Sequence, residues 1–334
     1  TNTVEIEENG RTLAIETGFI VYNDRTYPNF IALLDELGVA TQPSDMSFSV
    51  TGGRHGLEYN GSSLNRLFAQ RRNLFRPSFY RMLSDILRFN REAPALLEQP
   101  DLRLSLGEYL ALNGYGEHFI EHYILPMGSA IWSATPERMR ATPAVVFVRF
   151  FQNHGLLTVN DHPQWRVIKG GSARYVEKLV AGHRDRIRLG APVKAVRRSS
   201  GGVSVQPEGG EAERFDRVFM ACHSDQALAM LADPTPQERE VLGAIGYQKN
   251  EAVLHTDISL MPRRRRAWAA WNYNIPRDPD STDGRVTLTY NMNILQSLDA
   301  EREYCVTLNN TGAIDPAKII REFSYEHPIF TERA

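Results

Sequence analysis

The chain has 334 residues, enough for about two domains and a sizeable apolar core. Apolar residues make up 42% and charged residues 23%, which excludes a disordered or collagen-like protein, and no apolar run approaches the roughly 18 residues of a membrane-spanning helix. The net charge of −2 gives the whole chain no field that would gather nucleic acid or an anionic membrane. Two cysteines cannot frame a secreted disulfide scaffold and nothing resembles a signal peptide, so we expect a cytoplasmic protein.

The first predicted element is a β-hairpin. Residues 3–7 alternate between polar and apolar side chains, Asn9-Gly10 is typical of a two-residue turn, and a second strand covers Arg11 to Ile15. A hairpin that begins so close to Thr1 leads us to expect that preceding chain has been removed. At the other end, we expect a short helix from Asp315-Pro316 and no terminal element that closes the fold before Ala334.

The next predicted elements are mostly helical. The apolar spacing of residues 28–37 predicts a helix, and residues 62–152 read as a helical block. Within the block, a long amphipathic helix follows Pro77 and a capping box begins at Ser105. Residues 145–151 are so apolar that we expect a buried helix there.

After about residue 155 the pattern changes to short strands and helices. Including one earlier strand, the predicted strands are Met46–Val50, Trp165–Ile168, Val193–Val196, Val203–Val205, Val218–Ala221, Ala252–Thr256, Trp268–Tyr273, Val286–Tyr290 and Tyr304–Leu308. Helices are predicted after Gly170-Gly171-Ser172, over Asp225 to Leu231 and from the capping-box residue Thr235. This mixture favours an α/β part interleaved with an α+β part over two domains in tandem.

Three short motifs allow a structural and a functional interpretation. Gly114-Tyr115-Gly116 begins like a dinucleotide fingerprint but lacks the third glycine and a preceding strand, so we interpret it as a turn between helices. Gly170-Gly171-Ser172 separates a strand from a helix; it is either a tight turn or a place where free N–H groups meet an anion. The run from Arg263 to Arg266 is either a solvated loop or a contact for an anionic substrate or phosphate. With a nearly neutral chain, we exclude nucleic acid as a partner.

No pattern indicates a metal or a nucleophile. His118 and His122 could share a helix face, yet no glutamate follows His118 as it does in a zinc protease. No Gly-x-Ser-x-Gly motif is present in the sequence. Trp271 and Tyr273 would share one face of a strand, where they either belong to the core or form flat walls of a flavin or substrate pocket.

Several blocks, in this order, resemble the flavin-containing amine oxidase superfamily, which includes protoporphyrinogen oxidase and phytoene desaturase relatives, and within it the bacterial branch of predicted NAD/FAD-binding proteins. The blocks are Glu16-Thr17-Gly18-Phe19-Ile20-Val21-Tyr22-Asn23, Trp165-Arg166-Val167-Ile168-Lys169-Gly170-Gly171-Ser172, Pro192-Val193-Lys194-Ala195-Val196-Arg197 and Phe215-Asp216-Arg217-Val218-Phe219-Met220-Ala221-Cys222-His223. The resemblance implies an α/β plus α+β, amine-oxidase-like FAD/NAD(P)-binding fold with an interleaved substrate domain and a helical subdomain.

The resemblance also implies a division of the chain. Residues 1–40 and 165–225 correspond to remnants of the FAD-binding domain, and residues 321–334 to the start of the return to it. Residues 41–164 and 226–320 correspond to the substrate domain, which contains the helical block. The family's glycine-rich phosphate loop would lie before Thr1 and its last flavin-binding segment after Ala334, so we expect this chain, as a truncated form, to hold FAD weakly or not at all.

Site residues follow from the same resemblance. Those that correspond to cofactor contacts are Gly18, Phe19, Val193, Ala221 and His223. Those that correspond to substrate-domain positions facing the flavin are Tyr247, Asn250, His255, Trp271 and Tyr273. In amine oxidases proper a lysine stands near the start of this stretch; here Asn250 is the matching residue, after Lys249. The resemblance assigns no catalytic residue.

The implied function is that of an FAD-dependent oxidoreductase, which transfers a hydride from an apolar or amphipathic substrate to the flavin. One alternative is a flavin-dependent desaturase or isomerase of acyl chains. Another is a non-catalytic fragment that binds an apolar ligand or a partner protein. The expected partners are a small substrate and a second copy of the chain, with no integral membrane segment.

Overall fold

The computed structural model describes residues 1–53, 56–99, 102–276, 284–329 and 331. Their strands are β1 (Thr3–Glu8), β2 (Arg11–Glu16), β3 (Tyr22–Asn23), β4 (Thr41–Pro43), β5 (Phe48–Gly52), β6 (Leu57–Asn60), β7 (Trp165–Ile168), β8 (Val193–Ser199), β9 (Gly202–Pro207), β10 (Glu213–Phe215), β11 (Gly246–His255), β12 (Trp271–Ile275), β13 (Thr287–Asn291), β14 (Cys305–Leu308) and β15 (Ile319–Ile329).

The α-helices of the described residues are α1 (Pro28–Glu36), α2 (Leu64–Leu67), α3 (Pro77–Glu92), α4 (Leu106–Leu112), α5 (Glu117–Phe119), α6 (Leu125–Trp132), α7 (Pro136–Ala141), α8 (Ala144–Asn153), α9 (Ala173–Val180), α10 (Ser224–Met230), α11 (Pro236–Leu242) and α12 (Met292–Gln296). Helices α2 to α8 occupy most of the stretch between β6 and β7. A π-helical turn, Ile120–Ile124, joins α5 to α6.

The chain divides into two compact units. The first comprises Thr1–Leu179 and Lys249–His327, and the second comprises Val180–Gln248 with the chain from Pro328 onward. These boundaries differ from the domain boundaries expected from the sequence. The assignment of segments 1–40, 41–164, 165–225, 226–320 and 321–334 to cofactor and substrate domains stays a prediction, and part of the last segment lies outside the described residues.

A seven-stranded mixed sheet dominates the first unit. Its strand order is β15-β11-β14-β13-β12-β5-β6. β12 pairs with β5 in parallel and with β13 antiparallel, so that Trp271 lies between Phe48 and Tyr290. One face of the sheet belongs to a large apolar core that also contains side chains of the helical block, among them Phe79, Phe89, Phe119, Phe147 and Phe151. Each of these fully buried rings stabilises the fold by about 2 kcal/mol.

Local sequence patterns predicted several turns and helix caps correctly. The hairpin β1–β2 turns at Asn9 and Gly10, which have φ of 50° and 74°, as a two-residue turn requires. The capping boxes at Ser105 and Thr235 are formed, and Gly114 and Gly116 lie between α4 and α5 as a helix connection. These features depend on neighbours in sequence, so the sequence alone predicts them.

Three expectations about elements were wrong. Residues 218–221 form no strand, because no described strand pairs with them, and Phe219 is 93% exposed. The strand expected from Trp268 begins only at Trp271, because residues 265–267 form a helical turn. The helix α8 is amphipathic rather than buried all round, since Val146 is exposed. The eleven-residue strand β15, by contrast, had no clear signal in the sequence.

Candidate functional site

The turn between β7 and α9 meets the end of the first hairpin. Gly170 and Gly171 have φ of 80° and 88°, and the turn brings the backbone N–H of Ser172 within 2.5 Å of Oε1 of Glu16. The Thr3 hydroxyl donates to the same oxygen at 2.7 Å. Of the two interpretations of this turn, the structure shows the tight turn. The N–H group at its end meets a carboxyl oxygen of the protein itself.

Glu16 is an unusual residue in its own right. Its side chain is almost fully buried, and its Oε2 has no hydrogen-bond partner among the described residues. Burial raises the pKa of this carboxyl, although the hydrogen bonds from Thr3 and Ser172 act in the opposite direction. In the sequence, the only signal that marks Glu16 is its place two residues before Gly18 in the first family block.

Gly18 and Phe19 follow Glu16 and lie at the surface of the first unit. Phe19 is 41% exposed, and its ring makes an edge contact with Phe30 at 5.6 Å between ring centres. Tyr27 is 6.2 Å away on the same measure. A Cβ on Gly18 would lie 3.3 Å from the backbone nitrogen of Asn2. Packed aromatic neighbours hold Phe19 in place while part of its ring stays accessible.

The other three predicted cofactor residues lie in the second unit. Val193 begins β8 and is half-buried, and Ala221 is exposed in the segment before α10. His223 caps α10, and its ring stacks on that of Tyr247 with centres 4.3 Å apart and planes 9° from parallel. The Tyr247 hydroxyl accepts the backbone N–H of Ser224 at 2.9 Å. The structure thus brings together one predicted cofactor residue and one predicted substrate residue.

Trp271 and Tyr273 share the core face of the sheet, as expected. Tyr273 is buried, and burial raises its pKa. Trp271 is only half-buried and meets the Tyr290 ring edge-on at 4.8 Å. Its indole N–H is enclosed but has no hydrogen-bond partner among the described residues. An enclosed donor without an acceptor costs free energy, so Trp271 is the member of this pair that calls for a functional explanation.

Asn250, which the resemblance places at the position of the family's lysine, is fully buried on β11. Its Oδ1 accepts a hydrogen bond from Nδ2 of Asn309 at 2.8 Å, and its Nδ2 lies 2.9 Å from Nδ1 of His327 on β15. Asn309 has a φ of 53° and donates further to the Val286 carbonyl. The amide of Asn250 therefore joins three segments of the first unit. The preceding residue, Lys249, is exposed.

His255 lies on the opposite face of the sheet from Trp271. It pairs with Cys305, whereas its neighbour Leu254 belongs to the face that carries Trp271. His255 is fully buried: Nε2 lies 2.7 Å from the Thr307 hydroxyl, and Nδ1 accepts the backbone N–H of Asp257 at 3.0 Å. Burial lowers its pKa to about 4, and the nearby Lys318 acts in the same direction, while Asp257 opposes them. The predicted substrate residues on this sheet therefore do not share one face.

A row of polar side chains crosses this second face. Ser49 donates to Oδ1 of Asn272, and the hydroxyls of Thr289 and Thr307 lie 2.8 Å apart. All four residues are buried and stand in register across β5, β12, β13 and β14. With His255 the row forms a hydrogen-bonded network, and Asn272 also exchanges hydrogen bonds with the backbone of Ala269 in the segment that precedes β12. Sequence reasoning missed it, because alternating polar residues in a strand normally indicate a solvent-facing side.

The arginine run beside that segment is bound to the sheet. Arg264 forms a salt bridge with the buried Glu58 at 2.6 Å, and the backbone N–H of Arg263 also donates to Glu58. The guanidinium of Arg265 lies 4.6 Å from the centre of the Trp268 ring. The side chains are otherwise exposed, so these contacts attach a solvated loop to the protein.

Among the described residues, histidines and cysteines show no arrangement for metal chemistry. The rings of His118 and His122 lie 4.3 Å apart, but within the described ranges no group of three or more His, Cys, Asp or Glu residues could hold a metal ion. Cys222 and Cys305 are free thiols, one exposed and one buried. No helix in the described part of the chain is long and apolar enough to cross a membrane.

Comparison with known families decides the identity of this fold. The model of the flavin containing amine oxidoreductases matches residues 3–256. The chain belongs to this family. Its sequence matches no curated protein. The fold is the amine-oxidase-like α/β plus α+β fold that the sequence blocks implied.

Solved structures with the same fold act on different substrates. A putrescine oxidase variant has a TM-score of 0.61 and 14% identity over 92% of this chain and 66% of its own. The cyclohexylamine oxidase of Brevibacterium oxydans has a TM-score of 0.64 and 13% identity over 98% and 76%. The fatty acid isomerase of P. acnes, which produces CLA, has a TM-score of 0.62 and 14% identity over 97% and 77%. The chain thus spans just under two thirds of the putrescine oxidase variant, and identities this low show the fold alone.

Proposed function

We propose that the protein, in its natural length, is an FAD-dependent oxidoreductase that takes a hydride from an apolar or amphipathic substrate. The observation that carries this proposal is the family match, which extends over residues 3–256 and therefore includes parts of both structural units. Fold alone would not carry it, because one fold hosts many activities. When bound, FAD supplies the hydride acceptor.

Features of the first unit fit a flat aromatic cofactor. Gly18 has no side chain, and the backbone beside it is exposed together with part of the Phe19 ring. The enclosed indole N–H of Trp271 lacks an acceptor among the described residues, which fits a donor that awaits a ligand. We propose Gly18 and Phe19 as cofactor contacts and Trp271 as a residue that orients the ligand. Tyr273 is buried in the core and packs this strand against it.

In the second unit, the proposed cofactor residues are Val193, Ala221 and His223. Ala221 offers an exposed backbone, and the His223 ring is held parallel to Tyr247. Since Tyr247 is itself fixed through its hydroxyl by Ser224, the stacked pair is a rigid element. Its role would be to position the backbone at the start of α10.

We further propose that the substrate is an acyl chain or a similar amphipathic molecule and not a small amine. Asn250 stands where the resemblance places the lysine of amine oxidases, and its amide is occupied by Asn309 and His327. It can therefore hold the strand but cannot supply an ammonium group. The core contributed by the helical block is apolar and aromatic, which suits a hydrocarbon chain. The fold is shared with a fatty acid isomerase.

The test has two stages. First, the purified protein of natural length is examined for flavin absorbance, and the apo form is titrated with FAD while flavin fluorescence is followed. Second, the flavin-loaded protein is mixed without oxygen with an unsaturated long-chain fatty acid or with putrescine, and bleaching of the flavin is measured. Bleaching by the fatty acid alone is the expected result. Absence of flavin binding contradicts the oxidoreductase, and bleaching by putrescine alone contradicts the substrate class.

A further inference from the structure

A patch of arginines and exposed apolar side chains lies at the start of the helical block. We define the 64–81 patch by Leu64, Arg71, Leu74, Phe75, Tyr80 and Arg81. Phe75 is 86% exposed and Leu64 76%, and Leu74 and Tyr80 also count among the exposed large apolar side chains. Apolar residues exposed to this degree, when clustered, are typical of a surface that binds something.

Side-chain contacts link the segments that carry the patch. Nη2 of Arg71 donates to Oδ1 of Asn65, next to Leu64, while Nη1 donates to the carbonyl of Phe68. The Tyr80 hydroxyl donates to the Leu74 carbonyl at 3.1 Å, and the Tyr80 and Phe68 rings are 6.1 Å apart. These bonds join α2, the turn that follows it and the first turn of α3.

The charge of this surface differs from that of the chain. Between Tyr59 and Ser84 the sequence has five arginines and no lysine, aspartate or glutamate, although the whole chain has a net charge of −2. The acidic side chain that follows, Asp85, is bonded to Arg88 and to the backbone N–H of Gly116. The acidic residue that precedes the stretch, Glu58, pairs with Arg264. The acidic groups at both ends are thus already paired, and the stretch itself is cationic.

We propose that the 64–81 patch docks the protein on an anionic lipid surface. Arginines would meet the phosphate headgroups, and Phe75, Leu64 and Leu74 would enter the boundary between headgroups and acyl chains. A nucleic acid offers phosphates too, but it offers nothing comparable for two aliphatic side chains to enter. The proposal concerns this surface alone and does not depend on the flavin chemistry proposed above.

The experiment is sedimentation of the full chain with vesicles of phosphatidylcholine containing about 30 mol% phosphatidylglycerol, compared with phosphatidylcholine alone. We expect binding only to the anionic vesicles, and we expect added salt to weaken it. Phe75→Glu and Leu64→Glu should each weaken binding by about tenfold or more. The double variant Arg71→Gln/Arg81→Gln should weaken it by about twenty-five-fold, which is about fivefold for each charge.

Matched controls use equally exposed residues elsewhere. Phe219→Glu replaces a phenylalanine that is 93% exposed, and Leu112→Glu a leucine that is 73% exposed. Arg184→Gln/Arg186→Gln removes two exposed arginines of the second unit. Binding that the controls retain and the patch variants lose supports the proposal. Thermal unfolding verifies that every variant is folded. The lipid and salt dependence of binding is measured on the unmodified chain, so this part of the test does not depend on any variant.

Three results overturn the proposal. The first is absence of binding to anionic vesicles, and the second is equal binding to both vesicle types. The third is an equal loss in patch and control variants. If a single-stranded RNA binds with the same dependence on Arg71 and Phe75 while vesicles do not, the patch is a nucleic-acid surface and the lipid proposal is wrong.

Discussion

The carboxylate of Glu16 accepts the backbone N–H of Ser172, 156 residues later in the chain. This bond joins two of the sequence blocks that carry the family resemblance, and it places a buried carboxyl at the turn that opens α9. The first N–H groups of a helix have no acceptor within the helix, and here an oxygen of that side chain accepts one at the turn. Gly18 is held two residues away on the same segment.

Replacement of Glu16 should therefore destabilise the fold. We expect Glu16→Ala to lower the free energy of unfolding by about 2 kcal/mol or more, because the Ser172 N–H and the Thr3 hydroxyl both lose this acceptor. The control is Glu5→Ala, an exposed residue of the same hairpin, which should change stability by less than about 0.5 kcal/mol. Urea unfolding measures both. Equal stability of the two variants would refute the structural role of this carboxylate.

Glu16 should also make the stability of the fold depend on pH. Burial raises the pKa of Glu16 above its ordinary 4.5, so the folded state retains this proton to higher pH than the unfolded state does. The contribution of protonated Glu16 to stability is fully present below pH 4.5. It is lost as the pH rises through the higher pKa of the folded state. Glu16→Gln cannot titrate and should lack this loss, which urea unfolding over a pH series can detect.

The pKa of His255 is shifted in the opposite direction, downward. Burial lowers its pKa from 6.5 to about 4, so the unfolded state takes up a proton first as the pH falls. We expect stability to fall between pH 6.5 and 4 by up to about 3 kcal/mol on account of this residue. His255→Gln should flatten that part of the profile, whereas His183→Gln, at an exposed position, should leave it unchanged. If both variants follow the unmodified protein, His255 is already charged in the folded state.

Two tryptophans near the start of β12 offer a matched pair. Nε1 of Trp268 donates to the Pro262 carbonyl at 2.7 Å, whereas Nε1 of Trp271 has no acceptor within the described residues. We expect Trp268→Phe to be less stable than Trp271→Phe by about 1 kcal/mol, the usual contribution of such a hydrogen bond. Thermal unfolding gives the order, and the reverse order would show that the Trp271 N–H is bonded. If Trp271 orients a ligand, Trp271→Phe alone should slow flavin reduction.

Asn250→Lys restores the residue expected of an amine oxidase. We expect it to destabilise the fold by about 3 kcal/mol or more, because the ammonium group would be buried and the bond to Asn309 lost. Burial lowers the pKa of a lysine, so part of the stability should return as the pH rises toward 10. Lys249→Asn, at the exposed neighbour, should be nearly neutral. An Asn250→Lys variant as stable as the unmodified protein would contradict the structural role of this buried amide.

The sequence alone determined the features that depend on near neighbours and on family blocks. The hairpin at Asn9-Gly10 and the caps at Ser105 and Thr235 follow from residues a few positions apart, and the family membership follows from several short blocks in order along the chain. Such signals are local because turn and cap geometry involves at most four or five consecutive residues.

Only the tertiary structure decided what those elements contact. It placed Glu16 against Ser172, joined Asn250 to Asn309 and His327, and separated His255 from Trp271 on opposite faces of one sheet. These relations depend on strand order and register, which link residues far apart in the chain. A polar residue in an alternating strand looks the same in the sequence whether solvent or another segment covers it. Burial of the row through Thr289 and Thr307 could therefore not be predicted, and neither could the side of the sheet that each candidate residue faces.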